Sequence, residues 1–216
     1  MMQRLIILVI LTVKLFGCED EKGQVLFYSN YDKKGNLSQK DAYTQTYKNQ
    51  GNGDYLLSIH GTENTTVKRS YQEQLKEKVV DSIGIYRFCN GKYVLTHRFD
   101  SLESERFCYT DPPFIHKEAY WLGQKRYRVN NQFYEVMRFG EMSSAHTGNT
   151  SYYLKNFGFI CYYNDSGSYL LCSKASGSDI NQEVLQAITN HLLNDSTFFM
   201  KYLIKKDSIK YLPPPA

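Results

Sequence analysis

Short aromatic-rich segments separated by turn sequences run along most of this chain, and they favour a fold built from antiparallel strands. In KRYRVNNQFYEVMRF, residues 125–139, an Asn130-Asn131 turn separates two alternating runs, which is typical of a β-hairpin. Nineteen Tyr and twelve Phe support a β-rich protein because aromatic side chains are favoured in strands. Further strands are predicted over 25–31, 42–47 and 55–59, with a three-stranded meander over 83–110.

One helix is predicted near the C-terminus, from Asp179 to Asn194. Asp179 is followed three residues later by Gln182, which is the spacing of a capping box. Apolar residues at helical spacing would form one face of this helix: Ile180, Val184, Leu185, Ile188 and Leu192. The sequence therefore predicts an α+β fold, a largely antiparallel curved β-sheet with a C-terminal helix packed on it.

The predicted domain covers residues 25–212 as a single unit, and residues 213–216 form a proline-rich tail. Two segments inside it have no decisive pattern. Residues 71–80 are compatible with a helix or with a long exposed strand, and residues 197–206 with a second short helix or a last strand.

Residues 1–17 have the layout of a secretory signal peptide, with Arg4, an apolar run over 5–13 and a small residue at the end. The apolar run is shorter than the ~20 residues that a membrane-spanning helix needs. The sequence Leu15-Phe16-Gly17-Cys18 resembles the lipobox of bacterial lipoproteins. This resemblance implies cleavage after Gly17 and a diacylglycerol on the Cys18 sulfur, usually with a further acyl chain on the new amino terminus. An ordinary secreted protein is the alternative.

The lipobox resemblance also implies a location. We expect a protein of the bacterial cell envelope, held at the outer membrane by its lipid and facing either the periplasm or the exterior. Residues 18–24, CEDEKGQ, are charged and have no apolar periodicity, so they are predicted to be a tether between lipid and domain. Glu19 and Asp20 resemble the surface-export signals of some lipoproteins and equally suit a solvated tether.

Four cysteines remain if Cys18 carries lipid, an even number for an oxidising compartment. Cys161 and Cys172 flank a hairpin sequence with a turn at 165–168. Folding this hairpin symmetrically about the turn places Cys161 directly opposite Cys172, where a cross-strand disulfide has natural geometry.

Cys89 and Cys108 are assigned to each other by elimination, and the other two pairings of four cysteines stay open. In the simplest register of the meander, Cys89 faces Lys92 and Cys108 faces Leu95. The two sulfurs would then be too far apart for a bridge, unless a bulge or a longer loop shifts the register.

The charge of the chain gives no reason to expect a nucleic-acid partner. The formal net charge is +4, and removing residues 1–17 deletes Arg4 and Lys14 and no acid, so 4 − 2 leaves +2. Such a small charge without a clustered basic face does not indicate nucleic-acid binding.

The sequence also lacks a recognisable catalytic or metal motif. Cys89 lies eight residues before His97, and Cys108 lies eight residues before His116. In strands this spacing does not bring two side chains to one metal ion, so no metal is expected. No cofactor is expected either. There is no Gly-x-Ser-x-Gly sequence and no phosphate-binding glycine loop. A hydrolase site assembled from distant positions would have to use His60, His97 or His146.

Three aromatic residues are the candidates for ligand binding: Tyr120, Trp121 and Tyr127. They could stack on a glycan or a peptide in a sheet concavity, and the alternative is that they are cross-strand pairs covering a core. The leading hypothesis is a lipid-anchored envelope protein that is a binding or structural module, and an enzyme is not favoured. The alternatives are a lipid-anchored hydrolase of envelope or dietary polymers and a lipid or lipoprotein carrier with an apolar cavity.

Overall fold

The computed structural model describes residues 23–51, 54–63, 69–80, 83–89, 92–99, 105–106, 118–142, 148–164 and 166–199. In this part of the chain, twelve strands form one antiparallel sheet, and one helix follows the last strand. The strands are β1 Gln24–Tyr31, β2 Leu37–Gly51, β3 Asp54–Glu63, β4 Arg69–Val80, β5 Gly84–Cys89, β6 Lys92–Arg98, β7 Glu105–Arg106, β8 Glu118–Val129, β9 Gln132–Met142, β10 Gly148–Leu154, β11 Gly158–Tyr163 and β12 Tyr169–Ser176. The helix is α1, Gln182–Asn194.

The sheet consists of two meanders joined by its first and last strands. The strand order is β6-β5-β4-β3-β2-β1-β12-β11-β10-β9-β8-β7. Every neighbouring pair in this order is consecutive in the chain except β1 and β12, which pair from Val25 opposite Ser176 to Tyr31 opposite Tyr169. Because sequential strands are neighbours almost throughout, short turns account for most of the topology.

The sheet curls until its two ends face each other, with β6 lying beside β7 and β8. Side chains from β5, β9, β10 and β11 meet across the inner side of the curl. We call this group, with Phe99 just after β6, the inner cluster: Ile85, Phe99, Met137, Phe139, Tyr153 and Phe159. The predicted largely antiparallel, curved sheet with a C-terminal helix is confirmed.

The helix packs on the opposite face of the same strands, as two neighbouring tyrosines of β10 show. Tyr153 faces the inner cluster, with its ring centroid 5.2 Å from that of Phe159. Tyr152 projects to the other face, where its hydroxyl donates to the Phe198 carbonyl at 3.0 Å. Since successive side chains of a strand alternate between faces, β8–β12 form a layer between α1 and the inner cluster.

The helix begins three residues later than the sequence indicates. Asn181 is its N-cap, and its side-chain oxygen accepts a hydrogen bond from the Val184 amide at 2.9 Å. The prediction that Asp179 caps the helix is therefore wrong, because Asn181 offers the same short acceptor closer to the apolar face. The C-terminal boundary at Asn194 and the buried face around Leu185 and Ile188 are as predicted.

Other predicted elements have mixed outcomes. The Asn130-Asn131 hairpin is confirmed as β8–β9, with both asparagines at positive φ. The undecided segment 71–80 lies within strand β4. The prediction that the third strand of the meander pairs with the second is wrong, because β7 pairs with β8 instead of β6. The predicted signal peptide, lipobox and most of the tether, the stretch 200–212 and the tail lie outside the described residues.

Candidate functional site

A buried glutamine surrounded by tyrosines lies on the inner side of the sheet. Gln45 of β2 is 2% exposed. Its side-chain amide contacts four hydroxyls, which with Gln45 we call the tyrosine hub: Tyr28, Tyr43, Tyr47 and Tyr162. The hub thus joins β1 and β2 to β11, whose Tyr162 is 117 residues from Gln45 in the chain.

Tyrosine hydroxyls surround both polar atoms of the Gln45 amide in this hub. Its Nε2 donates to Tyr43 at 3.1 Å and to Tyr162 at 3.0 Å. Its Oε1 accepts from Tyr47 at 2.9 Å. The Tyr28 hydroxyl also lies 2.9 Å from this oxygen, but it shares its single proton with the Phe159 carbonyl at 2.6 Å. An amide has two donor hydrogens and two acceptor lone pairs, and a tyrosine hydroxyl occupies each of these four positions, so none is open to a ligand. We conclude that the hub holds strands together.

An ion pair extends the polar interior. The Arg87 Nε of β5 lies 2.8 Å from the Glu77 Oε1 of β4, and the Glu77 side chain is almost fully buried. Burial, followed by the Glu77 carboxylate, raises the pKa of Tyr47 well above its usual value. Tyr47 therefore stays a neutral hydrogen-bond donor, and the Glu77 carboxylate lies close enough to the hub to act on it electrostatically.

The histidines considered for catalysis are placed on different sides of the sheet. His97 is 1% exposed, and its ring packs edge-on against Phe139 and Phe159 at centroid distances of 5.0 and 5.1 Å. Its Nδ1 lies 3.2 Å from the Thr96 Oγ1. His60 is exposed on β3, and His146 lies outside the described residues. The described histidines do not share a site, and His97 is packed as a core aromatic side chain.

Trp121 is partly buried on the inner side of the sheet. It lies opposite Phe139 and packs against the inner cluster. Its indole Nε1 is buried and, among the described residues, has no hydrogen-bond partner. The side chain thus packs on the core while staying partly exposed, which favours the alternative to ligand binding, a residue that covers the core.

Tyr127 lies on the helix side of the sheet, although it is an even number of residues from Trp121. The pairing of β8 with β9 shifts between Trp121 and Gly123, so Leu122 is an extra residue in a β-bulge. Gly123 has a φ of 124°, which an L-residue rarely adopts. The bulge reverses the alternation of faces, and this separates the two predicted ligand-binding residues.

The Tyr127 side chain ties β8 to the end of α1. Its hydroxyl donates to the Asp195 Oδ2 at 3.1 Å, and Lys125 forms an ion pair with the same carboxylate. Burial opposes the charge of Asp195, but hydrogen bonds from Lys125, Thr197 and Tyr127 outweigh it and lower its pKa to about 2. This contact is structural.

Tyr120 lies opposite Gly140 in the backbone pairing, and its side chain is outside the described part of the chain.

The hairpin that carries Cys161 and Cys172 has a register one residue away from the predicted one. Cys161 lies opposite Leu171, and Cys172 lies opposite Tyr28 of β1. Neighbouring positions alternate, so Cys161 shares the helix side with Leu171 while Cys172 faces the inner side. The register from which the disulfide was predicted is therefore wrong, and both residues are free, buried thiols.

Burial also makes these two thiols poor nucleophiles. It raises the pKa of Cys172 to about 12 and that of Cys161 further. Cys89 faces Lys92 as predicted, and Cys18 and Cys108 lie outside the described residues, so the 89–108 pairing stays a prediction.

The space between sheet and helix is filled by side chains of one cluster. The helix residues Leu185, Ile188 and Leu192 have no exposed surface. They belong to the same cluster as Tyr152 and Leu154 of β10. These side chains occupy the region in which the carrier alternative needs its cavity.

Two exposed features were missed by the sequence analysis. The first, which we call the outer aromatic patch, lies on the outer side of β5 and β6: Tyr86, Phe88, Tyr93 and Leu95. The Phe88 and Tyr93 rings meet edge-on at 5.3 Å, and Phe88 is 39% exposed. The sequence GIYRFC, residues 84–89, could have indicated this patch. Its apolar residues would lie on both faces of a strand, so one face has apolar side chains beyond those that the core needs.

The second is the tip of the β8–β9 hairpin, where Phe133 is 68% exposed. The Arg128 guanidinium lies 5.9 Å from the centre of its ring.

Among the described residues, no three His, Cys, Asp or Glu side chains are grouped to hold a metal ion. In the same part of the chain, no helix is long and apolar enough to cross a membrane. Comparison of the chain with protein-family models, with curated proteins and with solved structures gives no match.

Proposed function

We propose that this protein is a lipid-anchored protein of the bacterial cell envelope whose β-rich domain is a binding or structural module. The observation that carries this proposal is the sequence Leu15-Phe16-Gly17-Cys18, six residues before strand β1 begins at Gln24. A tether of six residues spans at most about 20 Å. The end of the domain at which β1 begins would therefore lie close to the bilayer.

The interior supports a rigid module. In the tyrosine hub, hydroxyl groups occupy the hydrogen-bonding positions of Gln45, so this side chain cannot bind a ligand. His97 packs among phenylalanines. Fully satisfied buried networks fix one arrangement of a core. Any binding would then use the surface, and the outer aromatic patch is the described surface best suited to a flat apolar ligand face, such as a sugar ring or an aromatic side chain.

The anchor is tested in the bacterium by comparing the natural chain with a Cys18→Ser variant. With a clickable fatty acid in the medium, the natural chain should become labelled and sediment with membranes. The variant should be unlabelled and should leave the membrane fraction, because its serine cannot form the thioether. Equal sedimentation and no labelling of either chain would contradict the proposal.

A further inference from the structure

The end of the domain at which β1 begins also carries the tip of the β8–β9 hairpin. Neighbouring strands are antiparallel, so their directions alternate across the sheet. The end of the domain where β1 begins is therefore also where β9 and β11 begin. Strands β8, β10 and β12 end there. Val25 pairs with Ser176 of β12, and the turn 155–157 connects β10 to β11 at this end. The hairpin continues past that turn, because Leu154 pairs with Val136 while β9 begins at Gln132.

The hairpin tip combines one exposed apolar ring with positive charge. Phe133 is 68% exposed, and the Arg128 guanidinium lies 5.9 Å from its ring centre and donates to Asn131 at 2.9 Å. Arg126 and Lys155 flank it, and both lie within 4 Å of the single carboxylate of Glu135. We call these residues the tip surface: Arg126, Arg128, Phe133, Glu135 and Lys155. Three cations and one anion give it a formal charge of 3 − 1 = +2.

We propose that the tip surface contacts the phospholipid bilayer to which Cys18 is anchored, with the Phe133 ring at the boundary of headgroups and acyl chains. This inference rests on the proposed function, because the short tether is what brings this end of the domain to the membrane. An aromatic ring beside arginines suits that boundary, where the ring leaves water and the guanidinium stays near lipid phosphates. The positive charge favours anionic phospholipids.

The opposite end of the domain supplies a matched control. Phe88 is also an exposed phenylalanine, with 39% of its surface exposed. Strand β5 begins with Gly84 at the same end of the domain as β1, and Phe88 lies near the opposite end of this strand. Lys33 and Lys34 are exposed in the turn between β1 and β2, also at the far end. A membrane contact through the tip surface leaves all three residues in water.

The test uses the full lipidated chain in vesicles of phosphatidylethanolamine and phosphatidylglycerol with brominated acyl chains, which quench tryptophan fluorescence at short range. Phe133→Trp and Phe88→Trp are compared in a Trp121→Phe background, because Trp121 is the only natural tryptophan. We expect the bromolipid to reduce the emission of Phe133→Trp by about twofold or more and to leave Phe88→Trp unchanged. Equal quenching of the two, or none at position 133, would overturn the proposal.

A second pair of variants tests the role of charge without touching an apolar residue. In the Phe133→Trp chain, Arg126→Gln with Arg128→Gln should weaken the quenching, whereas Lys33→Gln with Lys34→Gln should not. Equal effects of the two pairs would contradict a contact specific to the tip surface. Acylation of Cys18 is measured by mass spectrometry on the same samples. An acylated chain without quenching refutes this inference alone, and a chain without acyl groups refutes the proposed function.

Discussion

At the scale of single residues, Gln45 and Asp195 show how polar side chains hold this β-rich protein together. Gln45 connects tyrosines of three strands on the inner side. Asp195 connects the end of α1 to β8 through Tyr127 and Lys125. Each of these two contacts can be tested by removing one polar group.

Replacement of Gln45 by leucine should strongly destabilise the fold. Leucine is similar in size, but it leaves four tyrosine hydroxyls in the interior without their common partner. We expect a loss of about 3 kcal/mol in the free energy of unfolding. Urea denaturation followed by circular dichroism measures this loss. The control Gln50→Leu, at an exposed position of β2, should change stability little. A loss no larger than that of the control would contradict the structural role of the hub.

Replacement of Asp195 by asparagine should cost stability in a pH-dependent way. Because the folded-state pKa of about 2 lies below the ordinary 3.8, ionised Asp195 stabilises the fold above pH ~4, and this contribution is lost as the pH falls toward 2. Lys125 is partly exposed, so we expect only about 1 kcal/mol at pH 7. The stability difference between the natural chain and the variant should shrink between pH 4 and 2. A constant difference would be inconsistent with this assignment, and exposed Asp179→Asn is the control.

At the scale of elements, the sequence predicts strands, turns and the helix better than it predicts which face a residue occupies. Alternation and the Asn130-Asn131 turn identify the β8–β9 hairpin because both signals are local. The bulge at Leu122 is not visible in alternation, yet it decides that Trp121 and Tyr127 point to opposite faces. The same kind of shift, by one residue, moves Cys161 away from Cys172. Register depends on neighbouring strands, so local patterns could not supply it.

The beginning of α1 gives a direct test between two caps. Asn181→Ala should destabilise the protein by about 1 kcal/mol, because the Val184 amide loses its acceptor. Asp179→Ala should have little effect, because its carboxylate lies outside the cap. Thermal unfolding followed by circular dichroism distinguishes the two variants. The reverse order of effects would restore the cap predicted from sequence.

The two thiols of the β11–β12 hairpin should be reduced and protected. Alkylation of the native protein at pH 8 should leave Cys161 and Cys172 unmodified, because both are buried and burial keeps the thiols protonated. After unfolding without reductant, both should react completely. Peptide mapping reads out the two states, and a peptide that joins 161 to 172 would contradict the register of this hairpin.

At the scale of the whole molecule, the sequence predicts a curved antiparallel sheet with a C-terminal helix, and the structure confirms it. The closeness of β6 to β8 was not predictable, because it depends on the accumulated twist and curl of twelve strands. His97 and Glu77 are polar or charged residues, yet both are buried on the inner side of this curl. It also leaves the outer aromatic patch and the tip surface exposed at different ends of the domain.

The central claim is that Cys18 is the first residue of the mature protein and carries its lipid. Mass spectrometry of the N-terminal peptide from membrane-extracted protein tests it most directly. We expect a peptide that begins at Cys18 and has the added mass of a diacylglycerol, with or without a further acyl chain. An intact peptide that spans Gly17 and Cys18 would contradict it.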